Sequence, residues 1–305
     1  MKLTFISLLC LSIFLSGLKE QNDIHQIGKI DKLYISADFT PPNEFTSGIE
    51  GPACDEDGNL YVVNYQNQGT IGKVDGQGKS ELFVTLPNGS IGNGIRFHSL
   101  GFMLVADYTN HNILRVNMST KQIDVYAHEK KMNQPNDIAI GKNNILYASD
   151  PNWKESTGNI WRIDANGTVT LLEEKMGTTN GIEVGPNENL LYVNESVQRV
   201  VWVYDLSPDG KISNKREFIT FPDFGMDGMR CDVKGNLYIT RHGKGTVAMV
   251  SPEGQLIREI KLKGTKPSNI AFGGNDGKTC FVTLQDRGCI ETFRVEYPGR
   301  SWVLH

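Results

Sequence analysis

The sequence predicts an all-β fold: one six-bladed β-propeller with four strands per blade, its last blade closed by a strand from the N-terminus. Three observations predict it. Short apolar strands recur at near-constant spacing. Gly, Asn and Asp turns separate them. Outside the N-terminal segment, no stretch carries a helical period.

The strands "GNLYVVN", "GFMLVAD", "NILYASD", "NLLYVNE", "GNLYITR" and "KTCFVTL" align on Tyr61, Leu104, Tyr147, Tyr192, Tyr238 and Phe281, at intervals of 43, 43, 45, 46 and 43 residues. Each is followed by a second strand such as "HNILRVN" or "GNIWRID", then by a third such as "KQIDVYAH" or "KREFITF". A shorter strand precedes each aligned one, as in "GIRF", "DIAI", "GIEV" and "GMRC". Four strands at this period are the signature of a propeller blade, and six repeats give six blades. The sixth unit ends soon after "IETFRVEYPGR" without an outer strand. The stretch "IHQIGKIDKLYIS", residues 24–36, is therefore expected to supply it.

Ahead of that stretch, one lysine precedes an apolar run from Leu3 to Leu18, 16 residues long, followed by polar sequence. The outline is that of a secretory signal, and the run is short of the roughly 20 residues that span a bilayer. Residues 1–21 are expected to be a signal peptide and residues 22–305 a single propeller domain, secreted or periplasmic. An uncleaved N-terminal anchor is the alternative, and no integral membrane domain is expected. The remaining cysteines, Cys54, Cys231, Cys280 and Cys289, show no disulfide framework or metal spacing and read as small buried hydrophobes. A net charge of −4 with interspersed signs offers no basic face for nucleic acid. The chain is expected to act as a monomer on a small molecule.

Stepping back 11 or 12 residues from each aligned strand position gives Glu50, Asn93, Asn136, Asn180, Asp227 and, in blade six, Ser268 or Asn269. The apolar residues that follow favour Ser268. These positions begin the first strand of each blade, which lines a propeller's central channel, so the repeat points them all at one axis. Asn-Gly and Asp-Gly are also turn dipeptides, and a turn-only reading stands beside the functional one. Glu50 and Asp227 tip the balance. Two acids facing a narrow channel repel unless a cation or protons compensate. An all-oxygen donor set suits calcium, or magnesium with more waters, and no His or Cys falls in the ring to favour structural zinc.

The pieces "EGPACDEDGNLYV", "GNGIRF", "NQPNDIAI…ILYASDP", "TTNGIEV", "MDGMRCDVKGNLYI" and "KPSNIAFGG" occur in this order across all six blades. Together they resemble the regucalcin/gluconolactonase/luciferin-regenerating group of six-bladed propellers, within reach of squid-type diisopropylfluorophosphatase. "QPND…SDP" and "SNIAFGG" are most similar to the gluconolactonase branch. The resemblance implies one divalent cation, calcium first, with magnesium, manganese or zinc as the other candidates. It implies that Glu50, Asn136, Asn180 and Asp227 hold this ion, with Asp227 also the general base. Animal members carry an arginine two residues before the blade-three asparagine; here that place is Gln134, which can still hydrogen-bond a hydroxyl. With Asn93, Asp150, Asn152, Trp153 and His242, Gln134 completes the expected substrate contacts. The expected activity is metal-dependent opening of a sugar-acid or related lactone. A phosphotriesterase-like hydrolase on the same site, and a non-enzymatic calcium-binding exported propeller, are the alternatives.

Overall fold

The computed structural model describes residues 33–304 and contains six four-stranded antiparallel sheets. Blade one comprises β2 (Phe45–Cys54), β3 (Leu60–Tyr65), β4 (Thr70–Val74) and β5 (Ser80–Thr85). Blade two comprises β6 (Gly92–Phe97), β7 (Phe102–Asp107), β8 (Asn112–Asn117) and β9 (Ile123–His128). Blade three comprises β10 (Ile138–Ile140), β11 (Leu146–Asn152), β12 (Thr157–Ile163) and β13 (Val169–Met176). Blade four holds β14 (Thr179–Val184), β15 (Leu190–Glu195), β16 (Val200–Leu206) and β17 (Ile212–Thr220). Blade five holds β18 (Met229–Cys231), β19 (Leu237–Arg241), β20 (Thr246–Val250) and β21 (Leu256–Lys261). Blade six is built from β22 (Pro267–Gly273), β23 (Thr279–Leu284) and β24 (Cys289–Arg294) with β1 (Ala37–Asp38).

β1 is the strand that closes the ring. It pairs Ala37 with Thr292 and Asp38 with Glu291. A further bridge joins Leu33 to Arg294. The closing segment therefore reaches past the end of the predicted stretch 24–36, of which residues 24–32 lie outside the described residues, as does the proposed signal 1–21. Ion pairs from Asp38 to Arg287 (2.6 Å) and to Lys263 (2.7 Å) fasten it.

The aromatic at the aligned repeat position has a packing cause. Tyr61 meets Phe83 of its own blade edge-on at 4.9 Å and Phe97 of the next blade at 5.6 Å. Tyr238 meets Phe272 of blade six at 5.2 Å. A large ring here fills the wedge between neighbouring sheets, where each blade buries its apolar face against the next. The clusters reflect this: Tyr61, Val63 and Ile71 of blade one pack with Ile95, Met103 and Val105 of blade two. The four cysteines are free and buried, as small hydrophobes. Among the described residues, no helix is long and apolar enough to cross a membrane.

The glycines that follow the ring residues have a different cause from the turn chemistry their dipeptides suggest. Only Gly51 has a positive φ among the four that follow Glu50, Asn93, Asn180 and Asp227. At Gly228 a Cβ would collide with the Asn269 side chain, and at Gly181 with the Asp227 carbonyl. These positions are bare because the neighbouring blade's ring backbone or amide lies directly on them. Gly228→Ala is expected to cost about 1–3 kcal/mol, as overpacking does, measured by chemical denaturation. A neutral result would show that Asn269 moves aside freely.

Beyond β24 the chain crosses the end of the channel opposite the ring residues. Gly299 bridges Asp232, Ser301–Leu304 form one 3-10 turn, and Arg300 points into the channel.

Candidate functional site

Five blades deliver the ring residue within two residues of the start of the inner strand, at Asn93, Asn136, Asn180, Asp227 and Ser268, whereas Glu50 stands in the middle of the longer β2. Irregular pairing marks these places: the ladder shifts on both sides of Glu50, between Gly92 and Ile95, and between Thr179 and Ile182. A bulge turns a side chain out of the alternating pleat, which re-aims it toward the axis. Asp227 is held by its backbone. Its N–H donates to Thr240 O (3.0 Å), and its carbonyl accepts from the Asn194 amide (2.6 Å). Ser196 donates to the carbonyl of Met226 just before it.

The result is one cavity of ≈ 260 Å³ lined by Glu50, Asn93, Asn136, Asn180 and Asp227, with Asn64, Gln68, Tyr108, Trp153 and Gln285 around its rim. Glu50 Oε2 accepts from Gly51 N–H (2.8 Å) and from Asn269 Nδ2 (3.0 Å). Burial nevertheless pushes the Glu50 carboxyl up to about 7. Burial and then the charge of Glu50 push Asp227 well above the carboxylate range, against a hydrogen bond from the Asn180 amide. The buried Oδ1 atoms of Asn93 and Asn180 have no partner. Two costly carboxylates and two orphaned oxygens therefore face the same space. No group of three or more His, Cys, Asp or Glu suited to a metal occurs among the described residues; the donor set here is two carboxylates plus amides. That chemistry fits a hard divalent cation, whose ligands are oxygens and whose charge would offset both acids.

The other predicted site residues divide. Trp153 and Tyr108 both line the cavity, and Gln134 is not among its lining residues. His242 stands behind the rim with Nε2 at 3.2 Å from Gln285 Oε1. Asn152 is turned to its own loop, accepting from Glu155 N–H at 3.2 Å. Asp150 is fully buried and bonded on both oxygens, so its carboxylate is not at the cavity wall. In blade six, Ser268 keeps the repeat phase, but its hydroxyl donates across the seam to Ile49 O (2.8 Å). It is Asn269 that reaches Glu50. The shift follows from the ladder irregularity between Pro267 and Asn269, which an apolar period cannot register.

Farther along the channel lies a buried ionic cluster that sequence reasoning missed. Arg230 donates to both oxygens of Asp137 (2.8 and 3.1 Å). Arg96 lies 3.5 Å from Asp137 and 3.7 Å from Glu183. Arg300 reaches Glu183 at 3.6 Å and Glu188 at 2.6 Å. Burial, with Arg230 close by, pushes Arg96 down to about 10. A legible sign existed. Arg96, Glu183 and Arg230 each stand three residues after a ring residue, charged positions inside otherwise apolar strands. A smaller cavity of ≈ 100 Å³ adjoins Arg96 and Arg230, and its other walls are largely apolar.

Comparison with known proteins agrees with this architecture. The family profile described as "SMP-30/Gluconolactonase/LRE-like region" matches residues 49–286. A gluconolactonase of Zymomonas mobilis is 27% identical over 301 residues, covering 84% of each chain. Diisopropyl-fluorophosphatase of Loligo vulgaris is 25% identical over 301 residues, covering 86% of this chain and 94% of that one. The crystal structure of regucalcin, described as a calcium-binding protein, from Agrobacterium tumefaciens superposes with a TM-score of 0.73 at 21% identity, over 86% of this chain and 97% of that one.

Proposed function

Because this chain belongs to the SMP-30/gluconolactonase/LRE-like family, we propose that it is a divalent-metal-dependent lactonase acting on a neutral, hydroxyl-rich lactone. The observation that carries the reading is the pair of carboxylates, Glu50 and Asp227, facing unpartnered amide oxygens in one cavity. Glu50, Asn136, Asn180 and Asp227 would hold the cation. When bound there, it supplies Lewis acidity to the lactone carbonyl.

The rest is work for the chain's own side chains. Asp227 takes the proton of the attacking water as general base. The water oxygen bonds to the carbonyl carbon, the ring C–O bond breaks, and Asp227 returns the proton to the leaving oxygen to give the hydroxy acid. Tyr108 offers a hydroxyl to the substrate from the cavity wall, beside Trp153. Gln68 and Gln285 add amides, and none of the described side chains lining the cavity is cationic. A neutral polyhydroxy lactone suits such walls better than an anionic one. Entry to an export pathway through residues 1–21 belongs to this proposal and is checked by N-terminal sequencing of the mature chain.

The test is a pH-stat screen of sugar and aliphatic lactones, with a phosphotriester in parallel, after chelation and re-addition of Ca²⁺, Mg²⁺, Mn²⁺ or Zn²⁺. Hydrolysis of a lactone restored by one of these ions is expected. Hydrolysis of the phosphotriester alone would move the activity to phosphorus, and none with any ion would end the enzyme reading.

A pH effect on stability follows from the same carboxylates. In the metal-free protein Glu50 titrates at about 7 rather than at the ordinary 4.5. Between those values the folded state binds more protons than the unfolded one, so stability falls as pH rises through that window. Chelated protein is expected to lose Tm from about pH 4.5 to about pH 7, and saturating Ca²⁺ to cancel the loss. Identical pH profiles with and without Ca²⁺ would separate Glu50 from the metal.

A further inference from the structure

One polar residue recurs at or near the end of the second strand of five blades; in blades two to five it ties down the loop that leads into that blade's inner strand, and in blade one it holds the first half of β2 itself. Asn64 donates to Gly48 O (2.6 Å), Asp107 accepts from Ser90 Oγ (2.8 Å), Glu195 accepts from Gly177 N–H (2.9 Å), and Arg241 donates to Asp223 Oδ1 (2.8 Å). In blade three the residue is Asp150. One of its oxygens accepts from the backbone N–H groups of Asn133 (2.7 Å) and Gln134 (2.6 Å). The other accepts from Trp161 Nε1 (2.8 Å) and Asn159 Nδ2 (3.3 Å).

Blade three needs this latch more than blade two does. Its inner strand is only Ile138–Ile140, so Asn136 stands outside the ladder, whereas Asn93 lies within the six-residue β6. Asn136 is otherwise held by its N–H on Ser149 O (2.9 Å) and its carbonyl under Gly94 N–H (2.9 Å). We propose that Asp150 is a positioning residue: its carboxylate fixes the segment Asn133–Asn136 and thereby sets Asn136 for the cation. The inference rests on the metal-site reading above. The place of Asp150 demands a carboxylate. Four N–H donors converge on one side chain, and only a group that accepts on both oxygens satisfies them all. An amide would turn its own NH₂ against one pair of donors.

The experiment measures Ca²⁺ affinity by calorimetry on the full chain, so it does not depend on turnover. Asp150→Asn is expected to weaken binding about 10–100-fold, as loss of a group orienting a ligand does. Asp107→Asn is the control. Asp107 is equally buried and equally ringed by donors, but it latches blade two. It should lose comparable Tm with Ca²⁺ affinity held within about threefold. Combining Asp150→Asn with Trp161→Phe removes the nearer of the two donors that an introduced amide would oppose and leaves the Asn159 amide at 3.3 Å, which can flip to present its oxygen, so the introduced amide's oxygen can keep the two loop N–H groups. That double variant should regain most of the lost affinity. Equal affinity losses in Asp150→Asn and Asp107→Asn, or no recovery in the double variant, would overturn the positioning role alone. A wild-type chain that takes up none of Ca²⁺, Mg²⁺, Mn²⁺ or Zn²⁺ would overturn the metal site together with it.

Discussion

Asp227→Asn is expected to lower kcat for lactone opening by about 10²–10⁴-fold, the range associated with a positioned general base, while making the metal-free protein more stable. The two effects have one origin. Asp227 and Glu50 face the same cavity, and each is penalised in its charged form by burial, Asp227 further by the charge of Glu50. An amide of the same shape keeps the hydrogen-bonded backbone, since those bonds run through the Asp227 N–H and carbonyl. It also removes one member of a repelling pair. Tm in chelator should therefore rise, Ca²⁺ affinity should fall because a ligand charge is lost, and turnover should collapse. A purely structural acid predicts the opposite order, with stability lost and turnover following it. Turnover near wild type in this variant would take Asp227 out of the chemistry, whatever the Tm does.

The fold was legible because its period is imposed by packing. Tyr61, Tyr147, Tyr192 and Tyr238 mark the spacing since a large side chain must fill the same inter-blade wedge each time, and strand alternation follows from it. The ring phase was legible for the same reason, which is how Glu50, Asn136, Asn180 and Asp227 emerge as one set from positions far apart in the chain. What hid from the sequence depends on register or on distant contacts. The ladder irregularity after Pro267 hands the contact with Glu50 to Asn269 and leaves Ser268 on Ile49. Gly181 and Gly228 read as turn glycines until the neighbouring blade is seen lying on them. Asp150, in the motif "SDP", has the composition of a rim residue, yet the donors that bury it come from two other segments of blade three. Arg300 lies in a polar tail with no periodicity, and only the closed ring reveals the channel it enters.

Arg230→Met is expected to cause the largest loss of folding stability of any single change considered. Its guanidinium bridges β18 to Asp137 of blade three across the channel, with both partners almost wholly buried. Without it, Asp137 loses its close ion pair and keeps the Ile138 N–H (2.9 Å) and the longer contact to Arg96 at 3.5 Å. Stranding one member of a buried pair costs about 3–5 kcal/mol, which is about 5–9 °C in Tm for a domain of this size. Replacing both members, as Asp137→Leu with Arg230→Met, should recover much of that loss, because the desolvation of both charges is then avoided. Additive losses in the double-mutant cycle would show that the two do not act as a unit. The change should also be felt at the cavity. Arg230 is among the groups that favour the ionised form of Glu50. Its loss raises the Glu50 carboxyl further, so protons compete with the cation to higher pH, and the midpoint of Ca²⁺ uptake should move upward. An unmoved midpoint alongside a large fall in Tm would confine Arg230 to holding the blades together. A shift in both would make the buried cluster part of what keeps the ring charged.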